Sequence, residues 1–432
     1  MRRRSATPLA TVLDVDYDFA TLDFLDDSED AVARRRGWIG ATLRGFREPR
    51  PDDEVVKRWT THYRADRANV TGAWLPEGEF GAGPMPVATY ASFDKTLNAG
   101  RELLPLRMIT DVTTSATHRR QGLLRRLLED DLADAVARGV PMAALTASEA
   151  EIYGRWGFGP ATFNQTVELD TSAGFALRPH VDPGRVEMVE PADAWPHVKA
   201  VFDAFHARQR GSVEWPAAYE DIHTGAFDFE TGAPNTKIRA AVHLDPDGTV
   251  DGFVIYSWGE DYTVKVAEMI TLAPAAQLSL WSFLAHTDRA KKVTFNLAHP
   301  DDPLRWALVD VDRLKLTANR HFLWLRVLDV PRALAARPWA ADDSLVLEVD
   351  DAQGHAAGRF RITTRDGVAD VRPTEDDPDV RTSAETLGTM YAAGVPVRQL
   401  HRAGRIDASP DAVRRLGAAA DLDDEPYNLT GF

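Results

Sequence analysis

Between Val112 and Pro160 the spacing of apolar residues changes period twice. A largely apolar run up to Val112 breaks at the polar turn Arg119-Arg120-Gln121-Gly122. Beyond it Leu123, Leu124, Leu127, Leu128, Leu132 and Val136 recur at helical spacing, so the pattern predicts an amphipathic helix from about Arg120 to Arg138. On that helix Asp130, Asp131 and Asp134 are expected to face outward, and Gly139-Val140-Pro141 ends it. Met142–Thr146 reads as a buried strand, Glu149–Trp156 as a short helix and Phe158–Leu169 as a closing strand. Strand, helix, strand in this order implies a mixed sheet with the helix crossing over it.

Upstream, Ala31–Arg47 and Pro51–Ala68 read as helices, and Val87–Phe93 and Leu106–Thr113 as strands around a turn at Asn98-Ala99-Gly100. After a stretch punctuated by proline and glycine, from Ala173 to Gly184, the plan repeats. Lys237–Leu244, Gly252–Trp258 and Lys265–Leu272 are strands, Ala275–Thr287 a helix and Lys292–Ala298 a strand. Where the first copy carries its arginine turn, the second has Thr271-Leu272-Ala273-Pro274-Ala275-Ala276-Gln277. Proline removes an N–H donor there, so the second copy is read as having no phosphate cradle. A third region begins near Phe322, with strands Leu323–Leu328, Ser344–Val349, Arg359–Thr364 and Gly367–Arg372 and helices Ala384–Ala392, Val395–Ala403 and Asp411–Ala418. The expected class is α/β and α+β, in three parts: 1–175, 184–320 and 321–432. Tyr427–Phe432 reads as a tail, and tails of this kind usually fray.

The size fits this division, since 432 residues exceed what one core usually supports. A formal net charge of -16 argues against nucleic acid and anionic membranes as partners and is compatible with a cationic substrate. Without cysteine there is no disulfide, no thiolate metal site and no cysteine nucleophile. The histidines show no metal-ligand spacing, so no catalytic metal is expected. The basic start Met1-Arg2-Arg3-Arg4 leads into too short an apolar core for a signal peptide, and no run reaches membrane-spanning length. The expected location is therefore cytoplasmic.

An arginine-rich turn opening a helix leaves backbone N–H groups unpaired at the positive end of the helix dipole, where phosphate binds. Arg119, Arg120 and Gly122 stand in that turn, and Tyr153 follows one strand and one short helix later. The spacing resembles the acetyl-coenzyme A site of the GNAT acyltransferases. Thr117–Arg125, Ala144–Glu149 and Ile152–Thr162, with His299–Leu304, Leu323–Val327, Val330-Pro331 and Leu387–Tyr391, resemble more narrowly the Eis ("enhanced intracellular survival") family of N-acetyltransferases. The resemblance covers most of the chain and departs mainly in the first hundred residues.

That resemblance implies tandem GNAT-like domains with mixed sheets, of which only the first binds acetyl-CoA, then a sterol-carrier-protein-like domain, assembled as a homohexamer. Backbone at Val112 and Thr114 would pair with the pantetheine arm, while Arg119, Arg120, Gly122, Leu123 and Leu124 would hold the pyrophosphate. Ser148 would lie by the thioester. Tyr153 would face the leaving thiolate as acid, and the terminal carboxylate on Phe432 would serve as base. Glu48 and Trp59 would meet the acceptor, a small-molecule or peptide amine such as a polyamine-like aminoglycoside or a lysine side chain. Aminoglycoside-modifying members tend to carry an acid where Gly431 stands here. A thiol near pKa 8.5 and a phenol near 10 differ by only about 2 kcal/mol, so a strong hydrogen bond to the developing thiolate suffices. A carboxylate near 3.5 is matched to an ammonium only after the amine has added to the carbonyl. Two other readings are transfer of a longer acyl group and a non-catalytic, lipid-binding scaffold.

Overall fold

A computed structural model of the chain describes residues 15–147, 150–229 and 231–432. It divides into two compact units: one takes the described part of Met1–Phe93 with Thr110–Ala133, the other Asp94–Ile109 with Asp134–Phe432. The division passes through the strands β3 (Ala88–Asn98) and β4 (Leu103–Thr114) and through the long helix α3 (Leu123–Ala137).

In the first unit, β1 (Asp18–Leu22) pairs antiparallel with β2 (Asn69–Trp74), and β2 pairs antiparallel with the first half of β3. Helices α1 (Glu29–Phe46) and α2 (Asp53–Ala65) lie between β1 and β2 in the chain. Each starts where a side chain satisfies an orphan N–H: Ser28 accepts from Ala31, and Asp52 accepts from Val55 at 2.9 Å. Gly45 allows α1 to lie against β4, since a Cβ there would stand 2.5 Å from Thr113 Cβ. The unit's core gathers Trp38, Ile39, Trp59, Tyr63, Val70, Tyr90, Leu123, Leu127, Leu128 and Leu132.

Helix α3 corrects the amphipathic reading in two places. Asp131 is buried, not outward: it accepts from Tyr90 Oη at 2.9 Å, Ser92 Oγ at 2.6 Å and Asn69 Nδ2 at 3.1 Å. A buried carboxylate is tolerated when several donors converge on it, and these donors come from strands far away in the chain. Val136 is 41% exposed, and Ala135 takes the inward place.

In the second unit β4 pairs parallel with β5 (Met142–Thr146), from Leu106↔Met142 to Met108↔Ala144. The strand Leu323–Val327, read in the sequence with the third region, pairs antiparallel with β5 and with the short β6 (Gly159–Pro160). From β7 (Phe163–Asp170) a second mixed sheet begins, in the order Leu314–His321, β7, Lys292–Ala298, Thr263–Thr271, Val250–Trp258, Arg239–Leu244, Arg185–Val189. Its single parallel pairing, Thr263–Thr271 with Lys292–Ala298, is bridged by the helix Pro274–Ala285. A five-stranded sheet follows, with Asp343–Asp350 at its centre and the helices Ala384–Tyr391, Val397–Arg402 and Pro410–Ala420. Among the described residues no helix is long and apolar enough to cross a membrane.

Gly157 and Gly159, which flank Phe158, differ in purpose. Gly157 has φ +79, and a Cβ there would meet Arg326 Nη1 at 2.2 Å. Gly159 is extended and lies so close to the helix Ala384–Tyr391 that a Cβ would meet the Glu385 carbonyl at 2.0 Å. It is a close-approach glycine and not a turn glycine. Arg326 itself is fully buried and reaches both oxygens of Asp351, at 2.9 and 2.7 Å. Removing one partner of such a pair strands the other charge. Asp351→Ala is therefore expected to lower unfolding stability by about 3–5 kcal/mol, read from the urea midpoint. An unchanged midpoint would show the pair to be dispensable.

Candidate active site

In the first unit the apolar run of β4 ends at Asp111, a non-glycine residue with φ +53. The left-handed residue puts a kink immediately before Val112. Tyr63 Oη donates to the Asp111 carboxylate, and Thr89 Oγ1, 2.6 Å from Thr113 Oγ1, donates to the Asp111 carbonyl at 2.8 Å. Burial pushes the Asp111 carboxyl up to about 6, against the opposing pull of the Tyr63 hydroxyl. Burial and the adjacent Asp111 push the Tyr63 phenol well above its ordinary value. Trp59, one helical turn before Tyr63, is buried and packs edge-on against it at 5.7 Å. Glu48 is half-buried in the turn after α1, its N–H donating to the Leu43 carbonyl at 2.9 Å.

The Asp111 shift has a stability consequence of definite sign. A folded value raised from about 3.8 to about 6 means that the native state holds the proton more tightly than the unfolded chain. The stabilising contribution is complete below about pH 4 and is lost as pH rises through about 6. Asp111→Asn removes this dependence. We expect it to be more stable than the parent at pH 8 by about 1–2 kcal/mol, allowing for the half-buried position, with the difference shrinking toward pH 4. Urea unfolding followed by tryptophan fluorescence at both pH values checks this, and equal differences at both would refute it.

Further along the chain the predicted turn takes the conformation an anion cradle needs. Arg119 is extended, Arg120 has φ +63 and Gly122 φ +78. A Cβ on Gly122 would meet nothing within 4 Å, so glycine serves the backbone angle and the space before it stays open. Arg119 and Arg120 are exposed, Leu124 is half-buried, and the buried Leu123 anchors the helix start. Arg126 makes a bond back to Gly122 at 3.1 Å, and the N–H groups before it lie in the first turn, where no carbonyl precedes them. Arg44, Arg47 and Arg119 share a cleft of about 290 Å³ with Thr114 and Ser115. Burial and Arg44 hold the nearby His118 below its ordinary value. The turn thus fits a diphosphate by conformation, open space and charge. Val112 and Thr114 are both half-buried on the strand that feeds it.

The second unit holds the other predicted groups. Tyr153 closes the four-residue helix Ala150–Tyr153 after β5, half-buried, with its ring edge-on to Phe158 at 6.3 Å. Ser148 lies outside the described residues. The end of the chain does not fray: Tyr427, Asn428, Leu429 and Thr430 are all buried. Asn164 Nδ2 donates to the Asn428 carbonyl at 2.9 Å, and Thr430 Oγ1 donates to the Val213 carbonyl at 2.6 Å. Tyr219 Oη accepts from the Gly431 N–H at 2.7 Å. Phe432 then arrives at the C-terminal end of β5, where its main-chain oxygen accepts from Thr146 Oγ1 at 2.6 Å. Chain end and Tyr153 helix are thereby tied to the same strand end. The sequence reading missed Asp111, Thr146 and Tyr219. Asp111 left one signal, a lone acid closing an apolar strand, whereas Thr146 and Tyr219 left none.

Comparison with known proteins agrees with the fold. A family described as an acetyltransferase (GNAT) domain matches residues 33–161, another of the same description matches 209–327, and a sterol carrier protein domain matches 330–428. A Streptomyces griseus protein described as an uncharacterized N-acetyltransferase is 37% identical over 400 residues, covering 89% of this chain and 93% of its own. The N-acetyltransferase Eis of Mycobacterium tuberculosis is 31% identical over 358 residues, covering 78% and 84%. Among solved structures, Eis1 from Mycobacterium abscessus superposes with a TM-score of 0.80 at 26% identity, covering 96% of this chain and all of that one. The two mixed sheets and the terminal α+β module are therefore tandem GNAT domains followed by a sterol-carrier-protein-like domain.

Proposed function

This chain belongs to the Eis-type N-acetyltransferases of the GNAT superfamily, and on that premise we propose that it acetylates primary amines of cationic acceptors, aminoglycoside-like polyamines or lysine side chains, by direct attack on acetyl-CoA. The observation that carries the reading is the main-chain oxygen of Phe432 held by Thr146 Oγ1 at 2.6 Å, at the strand end from which the Tyr153 helix departs. A tail anchored by Asn164, Thr430 and Tyr219 delivers Phe432 to this strand end, which supports a task for it there.

Acetyl-CoA supplies an acetyl group activated as a thioester. The N–H groups of the Arg119–Leu124 turn, with the Arg119 and Arg120 guanidiniums, hold the diphosphate. Backbone at Val112 and Thr114 aligns the pantetheine arm. The Tyr153 hydroxyl donates to the sulfur as it departs, and the Phe432 carboxylate takes the ammonium proton once the amine has added. Because the amine attacks directly, no covalent enzyme intermediate is needed, in keeping with a chain that has no cysteine. Trp59 and Glu48 contact the acceptor, the working assembly is a homohexamer, and the enzyme acts in the cytoplasm.

The test is thiol release from acetyl-CoA across a panel of amines, beside calorimetry with coenzyme A. We expect acetyl-CoA-dependent turnover of primary amines and none of tertiary amines. Tight coenzyme A binding without turnover of any amine would sink the amine reading, and no binding at all would sink the enzyme reading.

A further inference from the structure

Beside the penultimate residue of the chain the second unit has a cavity of about 240 Å³, lined by Tyr219, His223, Glu268, Leu297, Phe322 and Gly431 among others. Apart from Tyr219, His223 and Glu268 its walls are aliphatic, aromatic or glycine. His223 and Glu268 are 3% and 4% exposed, and their side chains meet at 3.0 Å between Nε2 and Oε2.

The proton count of this pair follows from its neighbours. His223 Nδ1 lies 2.8 Å from the Tyr219 carbonyl, which can only accept, so Nδ1 carries a hydrogen. The Nε2 to Oε2 contact then needs one proton, on the ring or on the carboxyl, and in either placement the pair is neutral overall. Glu268 Oε1 is different: it is buried and has no hydrogen-bond partner among the described residues. A buried acceptor left unpaired costs about 1–3 kcal/mol, and an N–H donor entering the cavity removes that cost.

We propose that this cavity is the subsite for a second, non-reacting amino group of the acceptor, with Glu268 as its partner. This rests on the amine transfer argued above. Gly431 lines the cavity and Phe432, the next residue, bears the carboxylate assigned to the reacting amine. Tyr219 Oη, accepting from the Gly431 N–H at 2.7 Å and 3.2 Å from its carbonyl, holds that edge in place. The distal amino group donates an N–H to Glu268 Oε1, while a methylene spacer lies against the apolar walls. At roughly 30 Å³ for each water-sized group, the volume suits an acceptor of about seven or eight heavy atoms. The ligand class is thus a short α,ω-diamine or the end of a polyamine.

The experiment compares kcat/KM for 1,3-diaminopropane through 1,6-diaminohexane with that for pentylamine, in the full chain and in Glu268→Gln. We expect the parent to favour the best diamine over pentylamine by at least tenfold, and the variant to lose at least tenfold of that ratio, mainly through KM. A parent indifferent to the second amine, or a ratio kept in the variant, overturns the subsite. Should no amine be turned over, the transfer reading fails separately, and calorimetry without acetyl-CoA decides the subsite. Heat with 1,5-diaminopentane that is absent with pentylamine upholds it, whereas equal heats or none leave Glu268 Oε1 to a bound water and overturn it. That comparison needs only the parent chain, so it holds even if Glu268→Gln does not fold.

Discussion

Two residues added after Phe432 are expected to lower amine acetylation at least a hundredfold while leaving affinity for coenzyme A within about twofold. The addition turns the terminal carboxylate into an amide and moves the charge by roughly 3.5 Å per residue, beyond the reach of an amine poised for it. A positioned proton acceptor contributes about 10²–10⁴ in rate. The tail cannot slide back to restore the geometry, because its grip is side-chain specific. Asn428 Oδ1 accepts from the Val213 N–H at 3.1 Å, Thr430 Oγ1 donates to the Val213 carbonyl, and Tyr219 holds Gly431. Thermal melts should show an intact fold in the extended chain. Full turnover there would remove the carboxylate from the mechanism.

Tyr153→Phe is expected to cost kcat at least a hundredfold with little change in KM for acetyl-CoA. The variant keeps the ring and its edge-on contact with Phe158, so the change isolates the hydroxyl. An interaction made only as charge develops on sulfur lowers kcat and kcat/KM together. If the hydroxyl serves the departing thiolate, the deficit should shrink when the acetyl donor carries a more acidic thiol, since that thiolate leaves with less assistance. A deficit independent of the thiol would assign Tyr153 to packing or acceptor contact, and an unchanged kcat would dismiss it.

The parts of this fold that were legible in the sequence are those whose cause is local. Met142–Thr146 and Lys292–Ala298 appear as strands with the expected bounds, because short apolar runs between turn residues have few other stable forms. Helix α3 begins at Leu123, with its apolar pattern and three residues later than the expected start at Arg120, because Arg120 and Gly122 take left-handed angles and cannot belong to it. Strands such as β1 and Leu314–His321 escaped notice because they are short or largely exposed, and their pairing partners, not their own residues, make them strands.

Sequence alone determined the arginine turn, the helix behind it, the tyrosine that follows and the repeated strand–helix–strand plan, since spacing and backbone preference act over a few residues. Only the tertiary structure decided which polar groups met. It turned Asp131 inward onto three donors, tied Phe432 to Thr146, set Tyr63 on Asp111 and, among the described residues, left one oxygen of Glu268 without a partner. Apolar periodicity records how deeply a position is buried, whereas a hydrogen bond depends on direction and on a partner that can stand hundreds of residues away. Those partners become neighbours only after packing has offset the entropy of closing the chain between them.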